Sequence, residues 1–128
     1  MKSKYNNKKV TIDGIVFDSM KEGNYYLFLK EKESRGEIIN LRRQVEYELL
    51  PAIWVDKVKH LKTKDAIEKR CDQRATCYYA DFVYTEPGTG NDVVIDVKSK
   101  ITRKKDSYIL KKKMMYALKG IKIREVIL

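Results

Sequence analysis

The chain has 128 residues, with 28 lysines and arginines against 18 acidic residues and a net charge of +10. That length supports one hydrophobic core but not two, and no apolar run approaches the length of a membrane span. The lysine excess draws polyanions at long range without naming one, while two cysteines lacking a CxxC spacing and a single histidine, His60, speak against zinc and for reduced thiols in a cytoplasmic protein.

Residues 1–9 are polar and basic with no apolar segment behind them, so they are expected to form a loose basic arm, not a signal peptide. The single domain is expected over 10–128. Asp13-Gly14 lies between Val10-Thr11-Ile12 and Ile15-Val16-Phe17, a pair suited to a type I′ turn and a first small hairpin. Ser19 opens a helix predicted to about residue 34, with Gly36 as its stop. Its apolar positions, among them Met20, Tyr25, Leu27, Phe28 and Leu29, imply burial on more than one side. Over 38–50 the period changes: Val45, Tyr47 and Leu49 alternate with Gln44, Glu46 and Glu48, a strand with one polar face that ends at Pro51. Residues 56–74 are irregular and basic, which reads as a solvated loop or short extension, or alternatively as an arm that touches DNA.

Two further strands, 77–84 and 92–98, are joined by Glu86-Pro87-Gly88-Thr89-Gly90-Asn91, a strong turn signal. A hairpin centred between Gly88 and Thr89 sets Asp81 across from Asp96, and Lys98 across from Tyr79. Alternation of side chains then projects Asp81, Asp96 and Lys98 from one face. Charges are costly in such apolar runs, and two facing carboxylates repel, a penalty that a divalent cation removes. The reading is a metal site beside an ammonium group. Slipping the register by one residue would separate these groups. A helix is predicted over 106–119, with Leu110, Met114, Ala117 and Leu118 as its buried stripe and Lys111, Lys112 and Lys113 largely off it. Gly120 ends it, and Ile121, Ile123 and Val126 suggest a closing strand. The fold class is α/β, a mixed sheet flanked by helices.

Asp81 followed by Asp96-Val97-Lys98, with a glutamate on a preceding helix, resembles the PD-(D/E)xK nuclease superfamily. Phe17-Asp18-Ser19-Met20-Lys21-Glu22, the strand around Gln44, and Tyr79-Ala80-Asp81-Phe82 are similar to a group of small phage-encoded proteins near the Holliday-junction resolvases. The resemblance covers about residues 8 to 127. Ala80 stands where the superfamily's name has proline, and Asp96 where it often has glutamate; Asp92, on the same strand, is an alternative ligand. The resemblance implies a restriction-endonuclease-like core of order α-β-β-β-α-β with an extra N-terminal hairpin. It further implies an endodeoxyribonuclease that acts on branched DNA as a homodimer, in the host cytoplasm if phage-encoded.

On that resemblance, Mg²⁺ (or Mn²⁺) would be held by Asp81, Asp96, the Val97 carbonyl and Glu22, and Lys98 would orient water or steady the transition state. Glu22 has a second reading, because Ser19-x-x-Glu22 is also a capping box. Gln44 meets the site edge or is simply surface. Arg103, Lys104, Lys105, Lys111, Lys112 and Lys113 form the candidate phosphate grip, with a solvated helix face as the alternative. Two other functions stay open: a nuclease for flaps, ends or foreign DNA, and a nucleic-acid-binding module without turnover.

Overall fold

The structure is a computed structural model that describes residues 8–99 and 104–128; Arg103 and residues 1–7 of the basic arm lie outside it. Asp13 and Gly14 take φ of 53° and 75°, the left-handed pair that a type I′ turn requires. β1 (Val10–Ile12) accordingly folds back on β2 (Ile15–Phe17), with Ile12 opposite Ile15. The Ser19 hydroxyl accepts the Glu22 amide at 3.2 Å and starts α1 (Met20–Ser34). This helix buries Gly23, Tyr26 and Leu29 on one side, while Met20, Leu27 and Phe28 remain exposed. The expected burial on several sides is therefore corrected to one. Gly23 is where the hairpin lies closest, since a Cβ there would sit 2.9 Å from Ile12 Cδ1.

β3 (Ile39–Leu50) is followed by β4 (Ile53–His60) and β5 (Asp65–Gln73), then by β6 (Thr76–Thr85) and β7 (Asp92–Lys98). α2 (Asp106–Lys119) leads to β8 (Arg124–Ile127). The main sheet has the order β3-β6-β7-β8, antiparallel except for the parallel pair β7 and β8 that α2 connects. Leaving out β4 and β5, the order from α1 onward is α-β-β-β-α-β, as expected. Residues 56–74 are not an irregular loop. β4 and β5 form a separate two-stranded antiparallel ribbon, paired with each other and with no other strand. Its cross-strand pairing escaped a periodicity argument because neither face is buried, so nothing forces apolar residues into alternation.

Two apolar clusters cover the sheet. On one face Phe17, Tyr26, Leu29 and Ile38 meet Phe82, Tyr84 and Ile95. On the other, Tyr108 and Met115 of α2 meet Leu49, Tyr78, Ala80, Val83, Val94 and Ile123. The α2 stripe differs from expectation. Tyr108 and Met115 are buried, with Lys111, Lys112 and Met114 half-buried, whereas Leu110 and Leu118 are exposed. Half-burial suits lysine, whose methylene stem packs while its ammonium escapes. Gly120 ends the helix in the left-handed conformation, with φ of 67°. Ile121 and Ile123 pack ahead of β8 and are not part of it. Among the described residues no helix is long and apolar enough to cross a membrane.

Candidate active site

β6 and β7 pair in the anticipated register, from Thr85 opposite Asp92 to Phe82 opposite Ile95. The next step would place Asp81 against Asp96, and there the regular ladder stops. Both β6 and its other neighbour β3 reverse their pleat at this level. Leu41 packs on the α1 side, yet Val45 and Tyr47 pack on the α2 side; Phe82 and Tyr84 lie on the α1 side, yet Tyr78 and Ala80 on the α2 side. Residues two apart share a face in a regular strand, so each strand has turned over once, at Gln44 and at Asp81. Gln44 carries the backbone signature, a φ of 51°, without any shift in pairing between Arg43–Phe82 and Val45–Ala80. Left-handed backbone in a residue with a side chain is strained.

The reversal lets the Asp81 side chain do what the backbone no longer does: its Oδ2 accepts the Val97 amide at 2.8 Å. The Asp81 carboxyl also feels that of Asp96 where the ladder stops. Burial, then the hydrogen bond and charge of Asp96, push Asp81 up to about 7 from an ordinary 3.8, against the opposing Val97 amide. Asp96 is only 1 % exposed. Its Oδ2 accepts a 2.6 Å hydrogen bond from the Tyr78 hydroxyl. Lys98 Nζ stands 3.2 Å from Asp96 Oδ1, close enough for an ion pair but out of line for a hydrogen bond, so this buried oxygen lacks a directed donor. The same ammonium lies 4.9 Å from the centre of the Tyr108 ring. The Tyr78 and Tyr108 hydroxyls are both held protonated well above their ordinary range, by burial first and by Asp96 next.

Glu22 sits in the first turn of α1, half-buried. Ser19 performs its half of the capping box, but no return hydrogen bond from the Glu22 carboxyl forms among the described residues. That carboxyl instead feels the site: burial and Asp18 raise its pKa, Arg43 and Lys98 lower it, and Asp96 adds a small upward push. Gln44 Nε2 reaches to 3.5 Å from Asp81 Oδ1, the limit of a hydrogen bond.

A divalent cation fits part of this arrangement. Two neighbouring carboxylates, one with a buried oxygen that no hydrogen bond satisfies, offer the hard oxygen donors that Mg²⁺ or Mn²⁺ prefers. Among the described residues no three acidic, histidine or cysteine side chains gather into a ligand cluster. Glu22 lies near enough to feel both Asp96 and Lys98. Asp92 is no substitute: at the far end of β7 it accepts from Thr85 at 2.7 Å and pairs with Arg42 at 3.2 Å.

The candidate phosphate grip divides. Lys104, Lys105 and Lys113 are exposed, Arg103 lies outside the described residues, and Lys111 is half-buried. Lys112 is tied to Glu125 of β8. Sequence reasoning missed Tyr78, Tyr108 and Arg43. Uniform alternation puts Tyr78 on the opposite face from Asp96; only the reversal at Asp81 brings them together, and no residue type announces that reversal.

Comparison with curated proteins finds no match, and no solved structure matches either. A match that runs over residues 2–127, taking in both strands of the carboxylate pair and the ribbon alike, places the chain in the family described as "Protein of unknown function (DUF1064)".

Proposed function

We propose that this chain is a metal-dependent endonuclease that hydrolyses phosphodiester bonds in branched DNA, acting as a homodimer in the cytoplasm. The observation that carries the reading is buried Asp96 beside Asp81 where the strands part, with the Lys98 ammonium 3.2 Å from Asp96 Oδ1. Repelling charges kept together in a buried place weaken a fold, and a hydrolytic centre gives them a use. The PD-(D/E)xK resemblance of the same residues supports it, as does the charge of +10.

Asp81 and Asp96, with the Val97 carbonyl, would hold Mg²⁺ or Mn²⁺. The cation supplies Lewis acidity, drawing charge from phosphoryl oxygens and making water a stronger nucleophile. The chain's own groups do the rest. Tyr78 fixes the rotamer of Asp96 through one oxygen and leaves the other facing Lys98 without a hydrogen bond. Lys98, held over Tyr108, offers a compact positive charge where the phosphate gains negative charge. Glu22 at the rim can orient water between α1 and the pair.

The test is cleavage of labelled four-way junction, flap and linear duplex in Mg²⁺ or Mn²⁺, beside Asp96→Ala and Lys98→Ala. Paired symmetric cuts confined to the junction and absent in both variants support a resolvase. Cutting of all three substrates makes it a general nuclease. Junction binding with no metal-dependent cutting leaves a binding module and removes the catalytic reading.

A further inference from the structure

The ribbon of β4 and β5 pairs with no other strand among the described residues, yet the end of the sheet it leaves from is set. Leu50, the last residue of β3, faces Thr76, the first of β6, so the ribbon leaves from that end of the sheet. β7 runs antiparallel to β6, which brings its C-terminal residues Asp96 and Lys98 to the same end. Asp81 is five residues along β6 from Thr76, roughly 17 Å at ~3.4 Å per residue. The turn over 86–91 lies at the opposite end. The base of the ribbon and the C-terminal end of β7 thus share one end of the sheet. With eight residues in β4, the ribbon reaches roughly 27 Å outward.

Charge separates along it. Asp56 is paired with Lys69, Asp65 with His60, and Asp72 with Arg70. Glu68, opposite Lys57, is the remaining carboxylate. Lys57 and Lys59 project from one face, and Lys62 and Lys64 occupy the tip, where the Leu61 amide donates to the Lys64 carbonyl at 2.9 Å. None of these four lysines has an ion pair among the described residues, and Lys59 faces only Ala66. Lys69 and Arg70 thus neutralise Asp56 and Asp72 in place, and the outer half of the ribbon presents ammonium groups with no ion pair among the described residues. The other face carries Trp54, Val58 and Ile67, all exposed.

We propose that this ribbon is a second contact with duplex DNA, separate from the chemistry: it lies along a groove and its outer lysines grip the phosphates. A two-stranded ribbon has the width that the major groove admits, and lysine contacts to phosphate position a protein without reading sequence. The proposal rests on the nuclease reading for its substrate, but its test needs no catalysis.

Trp54 is the chain's single tryptophan and stands at the ribbon's base, 59 % exposed, so the protein carries its own reporter. A duplex oligonucleotide is titrated in EDTA into wild type, Asp96→Ala, and the combined variant Lys57→Ala, Lys59→Ala, Lys62→Ala, Lys64→Ala. The readouts are Trp54 emission, anisotropy of the labelled duplex across a salt series, and light scattering. The expectation is a change in Trp54 emission on binding for wild type and Asp96→Ala. The lysine variant should bind at least tenfold more weakly, with a salt slope smaller by about 3–4. Wild-type affinity and slope in the lysine variant overturn the proposal, even if metal-dependent cleavage stands. A lysine variant that binds normally but has lost self-association assigns the ribbon to a second copy of this chain and also overturns it. Ribbon-dependent binding without metal-dependent cleavage upholds the ribbon and removes the nuclease reading instead.

Discussion

Gln44 and Asp81 face each other at the one level where β3 and β6 both turn over, with Gln44 Nε2 3.5 Å from Asp81 Oδ1. The strain of the left-handed Gln44 and the exposure of the Asp81 carboxyl to Asp96 are thus one local event. Remove the reversal and Asp81 would lie flat in a continuous ladder.

Gln44→Gly tests the strain. Glycine adopts a φ of 51° freely, and its greater freedom when unfolded offsets part of the gain. Stability should rise by about 0.5–1 kcal/mol in urea denaturation. Val45→Gly, next to it in ordinary strand conformation, should lose stability in the same assay. Equal losses in both variants would show that the φ of Gln44 carries no strain.

Asp81→Asn should stabilise the protein in EDTA. The Asp81 pKa is raised from 3.8 to about 7. The carboxyl therefore contributes most to stability below pH 3.8, and that contribution is lost as pH rises through 7. Asparagine keeps an acceptor for the Val97 amide and never ionises. In urea denaturation Asp81→Asn should be more stable than wild type at pH 8, by on the order of 2 kcal/mol, and the gap should close toward pH 4. A gap that does not depend on pH would mean that the Asp81 pKa is not raised in the folded protein.

Mg²⁺ or Mn²⁺ should reverse that order. Wild type should gain melting temperature with increasing metal, and Asp96→Ala should show no gain. A shift of equal size in both proteins would place the cation elsewhere.

Tyr78→Phe removes the donor to Asp96 Oδ2 in a buried setting. The expected cost is about 1–3 kcal/mol, because the carboxylate is left without a directed donor. Tyr47→Phe, at a half-buried neighbour stacked on Tyr78, should cost less. Chemical denaturation of both decides it.

Glu33 provides a pH dependence away from the site. Its carboxylate accepts the Leu41 amide at 2.9 Å and is held below the ordinary 4.5, mainly by that bond and further by Lys30. Its contribution is present above pH 4.5 and lost as pH falls through the lowered value. Glu33→Gln should cost about 1 kcal/mol at pH 7, and the two proteins should converge in acid.

Where burial imposes a period, the sequence was legible. Asp13-Gly14 specifies its turn, Val45, Tyr47 and Leu49 alternate as expected, and the turn over 86–91 sets the register of β6 on β7. That register runs to Phe82 opposite Ile95, one step short of Asp81 and Asp96. Two features were not legible, for different reasons. The ribbon of β4 and β5 buries neither face, so its residues follow no pattern that core packing would enforce. The pleat reversal depends on one backbone angle at Gln44, which glutamine as a residue type does not signal. The α2 stripe was misplaced because exposed Leu110 and Leu118 outrank Lys111 and Lys112 on any hydrophobicity scale, whereas the tertiary contacts chose Tyr108 and Met115.

Leu50 opposite Thr76 has a consequence of another kind. The main sheet is already closed at that pair, so everything between the two residues can be exchanged without opening the core. A shorter turn, a longer arm or a different binding element could be spliced in there, while the two carboxylates keep their places. The parts that hold the protein together and the part that reaches outward can then change independently, through a junction one residue pair wide.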